Sequence, residues 1–181
     1  MQTSSTTSLA QRLPTDEGGE APSDHFRSQA RPADLDAVEA LTRATGVFSE
    51  EEVIVARELV EEALERGADA SGYHLLFADG VGRIDGYACY GPIPMTNGRY
   101  ELYWIAVQPG AARSGVGRLL ARAVENRVRA AGGTHIFCAT STRADYGAAH
   151  AFYRAQGYAQ HADIPDYHAD GDGMAIYGKK L

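Results

Sequence analysis

The sequence predicts an α/β (α+β) domain with a mixed, mostly antiparallel central sheet of about six to seven strands, flanked by about four helices. Three observations support this fold class. Asn97-Gly98, a dipeptide typical of tight hairpins, stands between two strand-like segments. The apolar, aromatic segment 100–107 precedes a glycine-containing turn and an amphipathic helix. A short apolar strand at 134–139 follows that helix, and a strand–helix–strand connection places its two strands in parallel.

Residues 1–24 differ in composition from residues 25–181. The first segment is rich in Ser, Thr, Gln, Gly, Pro and acids and has no hydrophobic period, so it cannot bury enough apolar surface to offset the entropy of ordering. We expect a disordered tail at 1–24 and one folded domain at 25–181. With 181 residues, 44% of them hydrophobic, the chain is large enough for a single well-packed core.

Two helices are predicted near the start of the domain. A short strand at 26–30 precedes the first helix, which begins near Pro32 and ends at Gly46. The second helix has Ser49 as its N-cap and Glu52 three residues later, and this pair is a capping box.

Three strands follow the two helices. Residues 73–79, 83–90 and 100–107 are strand-like, and glycine-containing turns separate them. Because the connections are short, we expect the three strands to form an antiparallel meander.

The helix after segment 100–107 begins near Gly115 and ends at Gly132-Gly133. Apolar residues recur on one face at helical spacing. The opposite, polar face is predicted to carry Arg118, Arg122, Glu125 and Arg129.

The turn before this helix is chemically the most informative segment. Arg113-Ser-Gly-Val-Gly-Arg118 places glycine backbone at a helix N-terminus, where unpaired N–H groups and the helix dipole attract an anion. Two glycines let a pyrophosphate approach the backbone closely, and the two arginines and Ser114 can add contacts. The alternative is a tight connection without a ligand, since Gly-x-Gly turns before helices are common.

The C-terminal part predicts a helix at 146–156 and a final strand at 174–179. Between them, segment 161–172 collects His and Asp residues but matches neither zinc spacing nor the calcium-loop pattern, so no metal site is expected. We interpret 161–172 as a polar loop between the last two strands.

Composition excludes several function classes. A net charge of −7 argues against nucleic-acid binding and is compatible with an amine-bearing substrate. No apolar run approaches the length of a membrane span, so no membrane partner is expected. Cys89 and Cys138 are predicted to be buried free thiols in a cytoplasmic protein that lacks a signal peptide. The Gly-x-Ser-x-Gly elbow of serine hydrolases and a lysine-bearing phosphate loop are both missing.

Two motifs, in order along the chain, resemble those of a known family. The run from Ile105 to Leu120, which contains Arg-Ser-Gly-Val-Gly-Arg, resembles the acetyl-CoA-binding motif of the GCN5-related N-acetyltransferase (GNAT) superfamily. Residues 146–158, with Ala-Phe-Tyr and a later Gly-Tyr, are similar to the family's second motif. The resemblance covers about residues 25–181 and implies the element order β-α-α-β-β-β-α-β-α-β-β. Two positions depart from it: Ala112 replaces a usual Gln or Arg, and Tyr146 replaces an Asn that contacts the cofactor.

The resemblance implies roles for individual residues. The N–H of Val107 would contact the thioester carbonyl, and Tyr153 matches the position that often protonates the departing thiolate. The alternative for Tyr153 is a core tyrosine with a backbone partner. The implied cofactor-binding residues are Ile105, Ala106, Val107, Arg113, Ser114, Gly115, Val116, Gly117, Arg118, Tyr146 and Ala149.

Glu101 is the only acid in segment 100–107 and is our candidate general base, because burial can raise its pKa to a useful value. The alternative places Glu101 at the solvent end of the strand. In similar folds the loop between the last two strands borders the acceptor site. The candidate substrate-binding residues of this loop are therefore Asp166, Tyr167 and Asp170. Tyr103, in the strand-like segment 100–107, is a further candidate, with core packing as the alternative.

Taken together, the resemblance implies an acetyl-CoA-dependent N-acyltransferase that acetylates a primary amine of a small molecule or peptide by direct attack in a ternary complex. The alternative is a non-catalytic acyl-CoA-binding sensor module, which the unusual Ala112 and Tyr146 motivate. A nucleotide-binding α/β domain is a third hypothesis. The sequence leaves open whether the chain forms a homodimer.

Overall fold

The computed structural model describes residues 26–112 and 114–181. The predicted tail at 1–24 and Arg113 lie outside the described residues. The helices and strands in this part of the chain are α1 (Asp34–Ala44), α2 (Glu50–Arg66), α3 (Ala68–Ser71), β1 (His74–Asp79), β2 (Ile84–Pro92), β3 (Arg99–Val107), α4 (Val116–Ala130), β4 (His135–Ser141), α5 (Gly147–Ala155), β5 (Ala159–Ala169) and β6 (Asp172–Lys180).

The six strands form one sheet in the order β1-β2-β3-β4-β6-β5. The pair β3–β4 is parallel, whereas the other four neighbouring pairs are antiparallel. The predicted meander of β1, β2 and β3 and the parallel strand after α4 are therefore confirmed. The mixed, mostly antiparallel sheet is the predicted fold class.

Helices cover both faces of the sheet, so the core has two halves. On one face, α1 and α2 bury Val38, Leu41 and Val60 against Phe77 and Tyr87. On the other face, α4 and α5 cover a second cluster that includes Leu120, Val124, Ile136, Tyr153 and Tyr177. The core has two halves because each helix has a periodic apolar face that it must bury against the sheet.

The capping box at the start of α2 is present. The Ser49 N–H donates to Glu52 Oε2 at 2.7 Å, and the Glu52 N–H donates to Ser49 Oγ at 3.2 Å. Two amides of the first helical turn thus gain partners, as the sequence predicted.

Two predictions near the edges of the meander are wrong. The strand predicted at 26–30 is a single bridge between Arg27 and Phe77, and ion pairs from Arg27 to Asp34 (2.7 Å) and Asp79 (2.8 Å) anchor this segment instead of a ladder.

The connection between β2 and β3 is also longer than a two-residue turn. It spans residues 93–98, because β2 continues to Pro92 and the Ile93 N–H bonds to the Arg99 carbonyl oxygen.

The interpretation of 161–172 as a loop is wrong. Most of this segment belongs to β5, which pairs with β6, and the turn between them lies near Gly171. β5 is the outermost strand of the sheet and is exposed along nearly all its length. Because neither of its faces is buried, the sequence lacks the alternation that marks a strand.

Glu125 was predicted to lie on the polar face of α4, and this prediction is wrong. Its side chain is buried, with 4% of the residue exposed. Lys179 Nζ from β6 lies 2.8 Å and 2.9 Å from the two carboxylate oxygens, so a distant residue neutralises the buried charge.

Cys89 and Cys138 are buried and free, as predicted. Within residues 26–112 and 114–181, no helix is both long enough and apolar enough to cross a membrane.

Candidate active site

The sheet opens between β3 and β4. The two strands pair only at Arg99 with His135, Tyr100 with Ile136 and Glu101 with Phe137. Both strands continue well past these pairs, β3 to Val107 and β4 to Ser141. A gap therefore opens in the middle of the sheet, and the backbone groups of β3 that face it have no ladder partner on that side.

The amide of Val107 points into this gap. The Gln108 N–H donates to the Asp85 carbonyl oxygen at 2.9 Å, toward β2. Since N–H groups of successive residues in a strand point to opposite edges, the Val107 N–H and the Ile105 N–H point away from β2, toward β4.

The start of α4 supplies a second set of unpaired amides. Gly115 has φ +90°, a conformation that L side chains rarely adopt, and the first helical bond runs from the Leu119 N–H to the Gly115 carbonyl oxygen at 3.0 Å. The amides of residues 115–118 precede that bond, so they have no partner within the helix. The Arg118 guanidinium lies near the open side of Gly115, with Nη2 3.9 Å from where a Cβ would stand. Amides, dipole and arginine together are chemically suited to bind an anion.

One cavity of about 690 Å³ joins the gap in the sheet to the start of α4. A Cβ on Gly117 would lie 3.4 Å from Phe152 and from Val107, which is an ordinary contact distance. Ten of the residues predicted from the sequence line this cavity: Tyr103, Ile105, Ala106, Val107, Gly115, Gly117, Arg118, Tyr146, Ala149 and Tyr153.

Tyr153 lies on α5 at the wall of the cavity and is 7% exposed. Burial raises the pKa of its phenol well above the usual value, and the neighbouring Cys138 acts in the same direction. The phenol therefore stays protonated at neutral pH and can donate a proton or a hydrogen bond.

Glu101 occupies the last paired position before the strands separate, so it lies at the closed end of the gap. The residue is half-buried, and this burial raises the pKa of its carboxyl. Burial, with the Glu101 charge as a smaller cause, raises the pKa of Tyr103 to about 12. Glu101 itself is not among the residues that line the cavity.

The sequence model of the "Acetyltransferase (GNAT) family" matches residues 37–158. This chain belongs to the GNAT acetyltransferase family. The resemblance seen in the two motifs is thereby confirmed.

Solved structures support the same assignment. A protein of the GNAT family from Desulfovibrio desulfuricans is 41% identical, with a TM-score of 0.81 over 86% of this chain and 97% of that one. The ribosomal-protein-alanine N-acetyltransferase of Brucella melitensis is 23% identical, with a TM-score of 0.68 over 86% and 99% of the two chains. A Salmonella typhimurium protein solved with acetyl-CoA is 17% identical, with a TM-score of 0.68 over 86% and 92%. The last two show the fold alone. None of the curated proteins matches this chain significantly.

The remaining residues predicted for the cofactor site either do not line the cavity or are outside the described residues. Arg113 is outside the described residues, and the Val116 side chain is buried in the core, 3.2 Å from where a Cβ on Gly86 would stand. Ser114 is not a lining residue, and its hydroxyl donates to the Ala111 carbonyl oxygen at 2.5 Å. The backbone amide of Val116 nevertheless belongs to the unpaired set at the helix start.

The predicted substrate residues of β5 and its turn also lie outside the cavity lining. Asp166 accepts a hydrogen bond from the Gly171 N–H at 2.7 Å and thereby closes the β5–β6 turn. Tyr167 is 57% exposed and contacts His168, which does line the cavity. Asp170 is exposed.

Tyr146 replaces the usual Asn of the GNAT motif, and its hydroxyl forms a hydrogen bond within the protein. The phenol O–H donates to Glu52 Oε1 at 2.8 Å. Glu52, Phe48 and Trp104 line the cavity but were not predicted as site residues. The capping box identified Glu52 as a helix-start residue, and nothing in its sequence position indicated that it faces a site 94 residues away.

Among the described residues, no group of three or more His, Cys, Asp or Glu side chains is placed to hold a metal ion.

Proposed function

We propose that this protein transfers the acetyl group of acetyl-CoA to a primary amine of a small molecule or peptide, by direct attack within a ternary complex. The observation that carries the proposal is the single cavity that joins the unpaired amides of α4 to the gap between β3 and β4. An extended molecule with a diphosphate and a thioester can place one group at each end.

The helix start would hold the diphosphate. The amides of residues 115–118 and the Arg118 guanidinium supply donors and positive charge for it. Acetyl-CoA contributes an acetyl thioester. The Val107 N–H would donate a hydrogen bond to the thioester carbonyl and so polarise it.

Two protein groups complete the proton transfers of the reaction. The amine nitrogen forms a bond to the acetyl carbon, and the carbon–sulfur bond breaks. Glu101, which does not line the cavity, takes through water the proton that the amine loses, and Tyr153 gives a proton to the sulfur. The raised pKa of Glu101 suits a base, and the raised pKa of Tyr153 keeps its proton available at neutral pH.

Two measurements test this function. Titration calorimetry with acetyl-CoA should show binding, and a panel of primary amines should then release free thiol from acetyl-CoA. Binding without thiol release on a broad panel would favour the sensor alternative. An absence of binding by folded protein would contradict both.

A further inference from the structure

The cavity has an aromatic wall on the α1–α2 side of the sheet. We use this name for Phe48, Trp104 and Tyr146, all three of which line the cavity. Phe48 stacks on Trp104 with ring centroids 5.1 Å apart and meets the edge of Tyr146 at 6.2 Å. Phe48 and Trp104 also pack against the core under α1 and α2, so the wall is fixed on a rigid base. Such a surface binds apolar or aromatic groups.

Glu52 places a carboxylate beside this wall. Its two oxygens accept from the Ser49 N–H (2.7 Å) and the Tyr146 O–H (2.8 Å), and both donors are neutral. The other acid in the lining, Asp145, is paired with Arg143 at 3.2 Å. Glu52 is thus the lining carboxylate whose negative charge the described residues leave without a cationic partner.

The arginine that lines the cavity lies at its other end. Of the described lining residues, Arg118 is the only arginine or lysine, and it belongs to the start of α4 on the opposite face of the sheet. Arg143 lies 5.1 Å from the ring centroid of Tyr146, but it is paired with Asp145 at 3.2 Å and Asp172 at 3.7 Å, so Glu52 leaves an excess of negative charge beside the aromatic wall. An incoming carboxylate would meet repulsion there, whereas an ammonium group would be attracted.

We propose that the acceptor is a primary amine on an apolar, aromatic body with no carboxylate beside the amine, and that Glu52 binds its ammonium group. The proposal rests on the acetyltransferase function proposed above and deepens it. The wall holds the body of the acceptor, and Glu52 fixes the nitrogen at its edge. Glu52 acts in binding; after docking, the ammonium loses one proton to water, and the neutral amine then attacks and passes its second proton through water to Glu101.

A substrate comparison tests the acceptor class. With saturating acetyl-CoA, thiol release is measured for 2-phenylethylamine, for L-phenylalanine, which adds only the carboxylate, and for spermidine, which lacks an aromatic body. We expect kcat/KM for 2-phenylethylamine to exceed both others by about tenfold or more, which corresponds to about 1.4 kcal/mol. Equal or better use of either comparison amine overturns this proposal but leaves acetyl transfer intact. No thiol release from any amine, with acetyl-CoA bound, overturns both.

A Glu52→Gln variant tests the role of the charge. Glutamine is also found in capping boxes, and its carbonyl oxygen can accept the Ser49 N–H, so the start of α2 is kept while the charge is lost. Glu51→Gln is the matched control, because Glu51 is the preceding residue, is exposed and does not line the cavity. Thermal melting checks that both variants fold.

We expect Glu52→Gln to raise KM for 2-phenylethylamine about tenfold while kcat changes little, and Glu51→Gln to leave both near the wild-type values. The neutral analogue 2-phenylethanol serves as a competitive inhibitor, and its inhibition constant should be the same in wild type and Glu52→Gln. An unchanged KM in Glu52→Gln overturns the proposal. An equal loss for amine and alcohol also overturns it, since that result indicates a damaged wall instead of a lost ion pair.

Discussion

The hydroxyl of Tyr146 donates to Glu52 Oε1 at 2.8 Å, which joins the segment before α5 to the start of α2 across the cavity. Glu52 also closes the capping box of α2 through Ser49. Burial, followed by this hydrogen bond, raises the pKa of the Tyr146 phenol, so the phenol remains a donor at neutral pH. A residue that departs from the GNAT motif thus builds part of the cavity wall.

Tyr153→Phe tests the general acid. We expect kcat to fall by about 100-fold, the lower range for loss of a positioned proton donor, while the dissociation constant for acetyl-CoA stays within about twofold. Thiol-release kinetics and calorimetry measure the two quantities. Tyr158→Phe is the control, because Tyr158 is also buried and its ring centroid lies 5.8 Å from that of Tyr153, yet it does not line the cavity. Full activity of Tyr153→Phe across pH would show that another group protonates the thiolate.

Glu101→Gln tests the general base, and it should also change how the stability of the protein depends on pH. Burial raises the pKa of Glu101 above its ordinary value of 4.5, so the folded protein binds more protons than the unfolded chain between the two pKa values. Wild-type stability should fall as pH rises through that window, and the variant should lack this component. Urea unfolding between pH 4 and pH 8, a range set around the ordinary glutamate pKa, measures it.

The same Glu101→Gln variant should lower turnover without weakening acetyl-CoA binding. Glu51→Gln controls for the loss of one surface acid. Wild-type turnover in Glu101→Gln would leave Glu101 as a structural residue at the closed end of the gap.

Gly115→Ala tests the anion site at the start of α4. Because Gly115 has φ +90°, a side chain there is strained by about 1–2 kcal/mol, and adjustment of the turn should misalign the unpaired amides. We expect reduced stability and roughly tenfold weaker acetyl-CoA binding, by calorimetry and urea unfolding. Gly110→Ala is the control, since a Cβ at Gly110 meets no atom within 4 Å. Equal acetyl-CoA affinity in the two variants would contradict the assigned diphosphate site.

Lys179→Met tests the buried ion pair between α4 and β6. The variant leaves the Glu125 carboxylate buried without its main partner, which should cost about 3 kcal/mol of unfolding free energy. Lys180→Met, at an exposed neighbouring position, should change stability by less than about 0.5 kcal/mol. The double variant Glu125→Leu with Lys179→Met should recover much of the loss, because no unpaired charge remains. Urea unfolding measures the free energy of unfolding of Lys179→Met, Lys180→Met and the double variant. If Lys179→Met is as stable as the double variant, the unpaired Glu125 carboxylate does not destabilise the fold.

The sequence alone determined the features that depend on neighbouring residues. The capping box of Ser49 and Glu52, the glycine turn before α4 and the apolar period of that helix are local signals, and the structure contains all three. The two motifs also identified the family, because each is a short segment in which several positions must hold particular residue types. Ten of the predicted site residues consequently line one cavity.

Only the tertiary structure decided the features that depend on distant partners. Glu125 is buried because Lys179, 54 positions later, neutralises it, and β5 is a strand because β6 pairs with it. The separation of β3 from β4 after Glu101 and the approach of Glu52 to Tyr146 likewise join segments far apart in the chain. Local propensity records how a residue suits its neighbours, whereas packing selects which distant group completes its hydrogen bonds and its charge balance.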